Sequence, residues 1–148
     1  MYNSKASFKN KIVSYAADRS FIALKNKVEP AQEINGIKIW NLTLQGADRD
    51  LIHKNLLTLN AQHYSSVGFI YSTFGGESKY YVVGSGDAAQ KVNCNEIIKS
   101  INQEVNGKGG GVANFAQGGF KETPPSDKVD FIVSTGTANV VNFVKKVQ

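Results

Sequence analysis

The sequence is poor in the residues that build covalent and metal frameworks. It has one cysteine, Cys94, so no internal disulfide can form. A lone thiol suits a reducing compartment, and the expected location is the cytoplasm. The only histidines are His53 and His63, and their spacing to Cys94 matches no zinc-ligand pattern. No apolar run approaches the roughly 18 residues of a membrane-spanning helix. The first twenty residues lack the continuous apolar stretch of a secretory signal. No G-x-S-x-G, Walker A or S-x-x-K pattern is present, so no activated nucleophile is on offer. Prolines number three, which leaves long stretches free for regular structure.

What remains is an ordinary globular composition of 148 residues, 41% hydrophobic and 20% charged. That length fits one domain, with room for an added arm. Net charge is +5, which favours a polyanionic partner. The excess is uneven. Residues 1–30 carry Lys5, Lys9, Lys11, Arg19, Lys25 and Lys27 against Asp18 and Glu29, so +4 of the +5 lies there. Such a face is either simply solvated or lies along a phosphate backbone.

Periodicity predicts a helix over residues 5–27, with Phe8, Ile12, Tyr15 and Ala16 on one side. This arm, residues 1–29, precedes a globular domain over 30–148. Asn35-Gly36 lies between β-rich flanks and predicts a tight hairpin, with Ile37 and Ile39 on one face and Trp40 and Leu42 on the other. Asp48 is placed to cap a helix running to about Asn60, striped by Leu51, Ile52, Leu56 and Leu59. A second hairpin turns at Gly75-Gly76. Asn93 and Glu96 form a capping box for a helix striped by Ile97, Ile98, Ile101 and Val105, which Gly107 should stop. Lys128–Ser134 reads as a strand or a helical turn, and 138–147 as a final helix. The fold class is α+β: a mixed sheet packed with helices, preceded by a helical arm.

Gly84-Ser85-Gly86-Asp87-Ala88-Ala89 fits G-x-G-x-x-A, with Glu104 about 20 residues on. Its strand belongs to a hairpin and Glu104 falls inside a helix, so a turn fits better than a dinucleotide site. Cys94, in the first turn of a helix, reads as structural rather than reactive.

The segment Lys108 to Phe120 is a predicted loop. Gly109, Gly110, Gly111, Gly118 and Gly119 let backbone N–H groups approach an anion. Lys108 adds charge, Asn114 and Gln117 add directional hydrogen bonds, and Phe115 adds apolar or stacking surface. Two readings stay open on these grounds: a phosphate-contacting surface, or a loop that only needs freedom to turn.

With Asn106-Gly107 before it, this segment resembles a signature near the end of alanyl-tRNA synthetases, roughly GGKGGGRPDMAQGGG. Lys108, Ala116 and Gln117 fall in register with it. The hairpin at 33–39, the helix from Gly46 to Leu59, the strand ending at Val83-Gly84 and the helix Cys94–Val105 follow the family order, so the resemblance spans about 30–120. One departure stands out: Val112-Ala113 replaces the family's Arg-Pro, which removes a cation and a stiff residue. The resemblance implies a tRNA-binding C-terminal domain that contacts the tRNA elbow and serves aminoacylation and editing sites located upstream. The implied contacts are Lys108, Gly109, Gly110, Gly111, Asn114, Phe115, Gln117, Gly118 and Gly119, with Lys5, Lys9 and Lys11 of the arm. The implied partners are alanine-accepting tRNA and the upstream domains of a parent chain, with a homodimer through the arm as a further option and no membrane. ATP, magnesium and zinc would belong to the parent enzyme, and these 148 residues are expected to hold no cofactor and to catalyse nothing alone. The rival expectation is the substrate-binding domain of a DHH-type phosphoesterase, where the glycines would grip a nucleotide phosphate.

Overall fold

The computed structural model describes residues 32–61, 64–120 and 124–147. The predicted arm, its boundary with the domain, and His63 lie outside them. Two primed turns organise the first half. Asn35 and Gly36 both take positive φ (54° and 78°), as do Gly75 and Gly76 (61° and 82°), which matches the twist of the strands they join. The first turn links β1 (Gln32–Ile34) to β2 (Ile37–Gln45); the second links β3 (Ser66–Phe74) to β4 (Glu77–Ser85). Between the hairpins runs α1 (Arg49–Ala61), and Asp48 Oδ1 accepts from Leu51 N at 2.9 Å as its cap. Because α1 carries the chain across the sheet, β2 and β3 pair in parallel while the other neighbours are antiparallel.

Two helices follow β4: the short α2 (Ala88–Lys91) and α3 (Cys94–Val105). Asn93 caps α3, its side chain accepting from Asn95 N at 3.0 Å and Glu96 N at 3.3 Å. The helix ends one residue before the expected stop: Asn106 itself takes the left-handed position (φ 61°), an asparagine in the role usually given to glycine. The last helix, α4, covers Val129–Lys145 after a single 3₁₀ turn at Ser126–Lys128. It therefore starts well before 138. Val129, Ile132 and Val133 suit a strand in isolation, but they bury against α3 and the sheet at helical spacing.

The glycine-rich segment is not a loop. It forms two strands, β5 (Lys108–Val112) and β6 (Phe115–Gly119), joined by Ala113-Asn114. Together they complete, among the described residues, a six-stranded sheet in the order β1-β2-β3-β4-β6-β5. The tip is tied down: Cys94 N donates to Ala113 O at 2.7 Å and Gly84 N to Asn114 O at 2.9 Å.

The sheet has two unlike faces. On one, Ile37, Ile39, Val67, Phe69, Tyr80, Val82 and Ala116 pack under α2, α3 and α4. Gly136 of α4 sits on the Phe69 ring, which would overlap any β-carbon there. Ser100, Glu104 and Asn139 join α3 to α4 through hydrogen bonds of 2.6 and 2.9 Å. On the other face, Trp40, Leu42, Leu44, Ile70, Tyr81, Val83 and Phe115 pack under Ile52 and Leu56 of α1. Trp40 lies flat on Gly68, and its Nε1 donates to Ser66 Oγ at 3.0 Å.

Candidate nucleic-acid interface

On the α1 face the registers run in rows across β4, β6 and β5. Lys79 aligns with Gly119 and Lys108; Tyr81 with Gln117 and Gly110; Val83 with Phe115 and Val112. Register neighbours share a face. The row of Lys79, Gly119 and Lys108 therefore places a bare residue between two lysines. A shallow cleft of about 190 Å³ lies there, lined by Lys79, Lys108, Gly109, Gly110, Gln117, Gly118 and Gly119. Lys108 is exposed and has no ion-pair partner among the described residues. Lys79 lies 3.7 Å from Glu77, and both side chains are well exposed. An exposed pair of this kind contributes only about 0–1 kcal/mol, so the ammonium remains available to another anion.

Beside the cleft, Phe115 is the hub of a cluster drawn from three elements. The Arg49 guanidinium lies 5.2 Å from its ring centre, His53 packs on it at 5.2 Å, and Tyr81 meets it edge-on at 5.9 Å. Phe115 is only 5% exposed. The expectation that it offers a stacking face is corrected: Arg49 and His53 already cover it. Burial pushes the Tyr81 hydroxyl up to about 12, with Asp48 and Glu77 adding to the rise and Arg49 opposing it.

The expected contact residues divide by position. Lys108, Gly109, Gly110, Gln117, Gly118 and Gly119 line the one cleft. Gly111 and Asn114 lie away from it, and Asn114 is engaged through its carbonyl at the hairpin tip. Lys5, Lys9 and Lys11 lie outside the described residues. Arg49, His53 and Lys79 were missed because they reach the site from α1 and β4. The signal that could have found Lys79 is its strand parity with Tyr81.

Most of the glycines answer to the fold. β5 is an edge strand, and α3 covers its outer backbone: Gly111 N donates to Asn95 Oδ1 at 3.1 Å and Asn102 Nδ2 to Gly109 O at 3.2 Å. The Tyr80 hydroxyl passes beneath the hairpin to donate to Asn102 Oδ1. A β-carbon at Gly107 or Gly118 would overlap Tyr80, and one at Gly111 would overlap Phe115 O of β6. Gly109 adds a φ of 147° that disfavours a side chain.

The other candidates resolve as structural. Gly86 turns the chain at φ 61°, and a β-carbon there would press on the Ser65 backbone at 2.9 Å. Ala88 N, at the start of the four-residue α2, donates to Ser65 Oγ at 3.0 Å. Protein thus fills the place a dinucleotide phosphate would take. Cys94 is buried, and burial pushes its thiol up to about 12, the opposite of an activated thiolate. Among the described residues, no three His, Cys, Asp or Glu side chains converge to hold a metal ion. None of the described helices is long and apolar enough to cross a membrane.

Residues 36–142 match the model of the DHHA1 domain, well over half of the chain. The chain belongs to the DHHA1 domain family. This DHHA1 domain is 29% identical over 114 residues to an alanine–tRNA ligase of Paraburkholderia phytofirmans, covering 71% of the chain but 13% of the ligase. It is 28% identical over 116 residues to the alanine–tRNA ligase of Paraburkholderia phymatum, again covering 13% of that protein. The chain thus spans about an eighth of the length of these relatives. Among solved structures, the C-Ala domain of Aquifex aeolicus alanyl-tRNA synthetase shares the fold, with a TM-score of 0.54 and 21% identity over 72% of this chain and 97% of that one. A DHH-domain protein, described as a member of a family of ribosomal proteins, also shares it. The TM-score is again 0.54, with 15% identity over 88% of this chain and 31% of that one.

Proposed function

We propose that this DHHA1 domain is the tRNA-binding C-terminal module of an alanine–tRNA ligase. The observation that carries the reading is the match to alanine–tRNA ligases across 71% of the chain. The open end of the sheet supports it, since Lys79 and Lys108 flank a backbone surface stripped of side chains, and Arg49 lines a neighbouring cleft with Lys79. Such a surface suits the sugar-phosphate backbone of a folded RNA better than base-edge readout, which needs projecting amides and guanidinium groups. The module contacts the tRNA elbow and holds the tRNA for aminoacylation and editing sites elsewhere in the parent chain. ATP, magnesium and zinc belong to those sites. His53 and Cys94 do not assemble a zinc site here, and the domain alone neither activates alanine nor deacylates tRNA. The cytoplasm is the proposed location.

Titration of the 148-residue chain with an alanine-accepting tRNA at two salt concentrations tests this. Saturable binding that weakens steeply with salt is expected. Equal affinity for tRNA and for a plain duplex of the same length would remove the elbow reading. A second reading, the substrate-binding domain of a DHH-type phosphoesterase, has the DHH-domain structural match in its favour. Under it, the parent reading frame carries a DHH motif upstream instead of a class II synthetase core. A dimer through the arm is a further proposal, and light scattering that finds a strict monomer at high concentration removes it.

A further inference from the structure

The glycines of the hairpin fall into two groups, and Gly110, whose β-carbon would meet only Asn95 Oδ1 at 3.3 Å among the described residues, and Gly119 stand apart from the rest. Gly107, Gly109, Gly111 and Gly118 are held to glycine by Tyr80, by the β6 backbone or by a positive φ. Gly119 is not. Its φ is not positive, and among the described residues a β-carbon there would meet only Lys79 Cγ and Ser78 O, each at 3.4 Å, an ordinary contact. The fold would accept alanine at Gly119. Yet Gly119 sits in register between Lys79 and Lys108, with Gln117 lining the same cleft. Neighbouring strands lie about 4.8 Å apart, so the two lysine backbones stand about 10 Å apart across Gly119. A phosphate seated on Gly119 is within reach of both ammonium groups. Gln117 Oε1 is buried there with no hydrogen-bond partner among the described residues. A phosphate cannot donate to that oxygen, whereas a ribose 2′-hydroxyl can.

We propose that Lys79, Gly119, Lys108 and Gln117 form one ribose-phosphate subsite, in which Gly119 is bare for the approach of the RNA strand and not for the fold. The two lysines neutralise the phosphate, and Gln117 reads the 2′-hydroxyl. The proposal rests on the tRNA-binding reading, and its test separates the two.

The 148-residue chain is titrated with a tRNA transcript and with single-stranded RNA and DNA of one sequence, and its thermal midpoint is recorded alongside. Gly119→Ala keeps the wild-type midpoint but weakens tRNA binding about tenfold. Gly118→Ala, the contrasting variant, lowers the midpoint. Lys79→Ala and Lys108→Ala, both at exposed side chains, each reduce the salt slope by about one. Gln117→Leu narrows the preference for RNA over DNA. If the unsubstituted chain binds tRNA and Gly119→Ala binds equally well, this subsite is overturned while the broader reading stands. Loss of midpoint and binding together at Gly119, or salt slopes unchanged at both lysines, overturns it too. Failure of the unsubstituted chain to bind tRNA removes both.

Discussion

The two faces of this sheet use the same strands for different ends. The face under α3 and α4 is closed along its whole width, from Ile37 on β2 to Ala116 on β6. The face under α1 is closed only over β2, β3 and β4, with Phe115 at the margin. Past that margin the strands carry glycines, lysines and the exposed Val112 instead of core residues. Closure on one side is what permits the opening on the other. The Tyr80–Asn102 bond and the Asn95 contact hold β5 from the α3 side, so β5 needs no cover from the α1 side. A hairpin with so few side chains has little packing of its own and depends on those contacts.

The largest test of the comparison is Phe69→Ala. Phe69 is fully buried at the centre of the closed face, stacked near Tyr80 at 6.0 Å and roofed by Gly136. Truncation should cost about 3–5 kcal/mol in urea unfolding, because the cavity cannot collapse under a helix seated so tightly. A cost below about 1 kcal/mol would mean that α4 moves freely on the sheet, and the contrast between faces would fail.

A smaller effect follows from pH. Burial raises Tyr80 and Tyr81 from 10.0 to about 12 and Cys94 from 9.0 to about 12. Each group binds its proton more tightly in the folded chain than in the unfolded one. Their contribution is therefore complete below pH 9.0 and is lost as pH rises toward about 12. Urea midpoints should fall through that window, and the tyrosinate absorbance of Tyr80 and Tyr81 should appear only with unfolding. Tyr80 lies on the closed face and Tyr81 on the partly open one, so the comparison sharpens here. If Tyr81 ionised in the folded protein well before Tyr80, α1 would be a loose cover.

Much of this architecture was legible in the sequence, and the reasons are local. Asn35-Gly36 and Gly75-Gly76 dictate their own φ angles, and Asn93 caps α3 with its own side chain. The α3 stripe of Ile97, Ile98 and Ile101 is buried as its spacing requires. What stayed hidden depends on distant partners. β5 looks like a loop because three glycines show no alternation, and what makes it a strand comes from Asn95, Asn102 and Tyr80. The early start of α4 was masked by β-branched residues whose helical burial only tertiary packing reveals. At the candidate site, Lys108, Gln117 and Gly119 stood in one motif. Lys79 joined them only through strand register, and Phe115 left the expected set once Arg49 and His53 covered it.

The smallest expected effect on stability belongs to Val112, which occupies the place of an arginine in the alanyl-tRNA synthetase signature. Val112 is 63% exposed, in the row of Val83 and Phe115 on the open face. An arginine there meets no core and no fixed neighbour, so Val112→Arg should change unfolding free energy by less than about 0.5 kcal/mol. Its effect belongs to binding. One added cation on the same face, four residues along β5 from Lys108, should steepen the salt dependence of the proposed tRNA binding by about one counterion. An unchanged slope would place Val112 outside the RNA footprint and confine contact to the Lys79 end of the sheet. A lost midpoint would mean that this edge of the face is packed after all, and the division between a closed and an open side would have to be redrawn at β5.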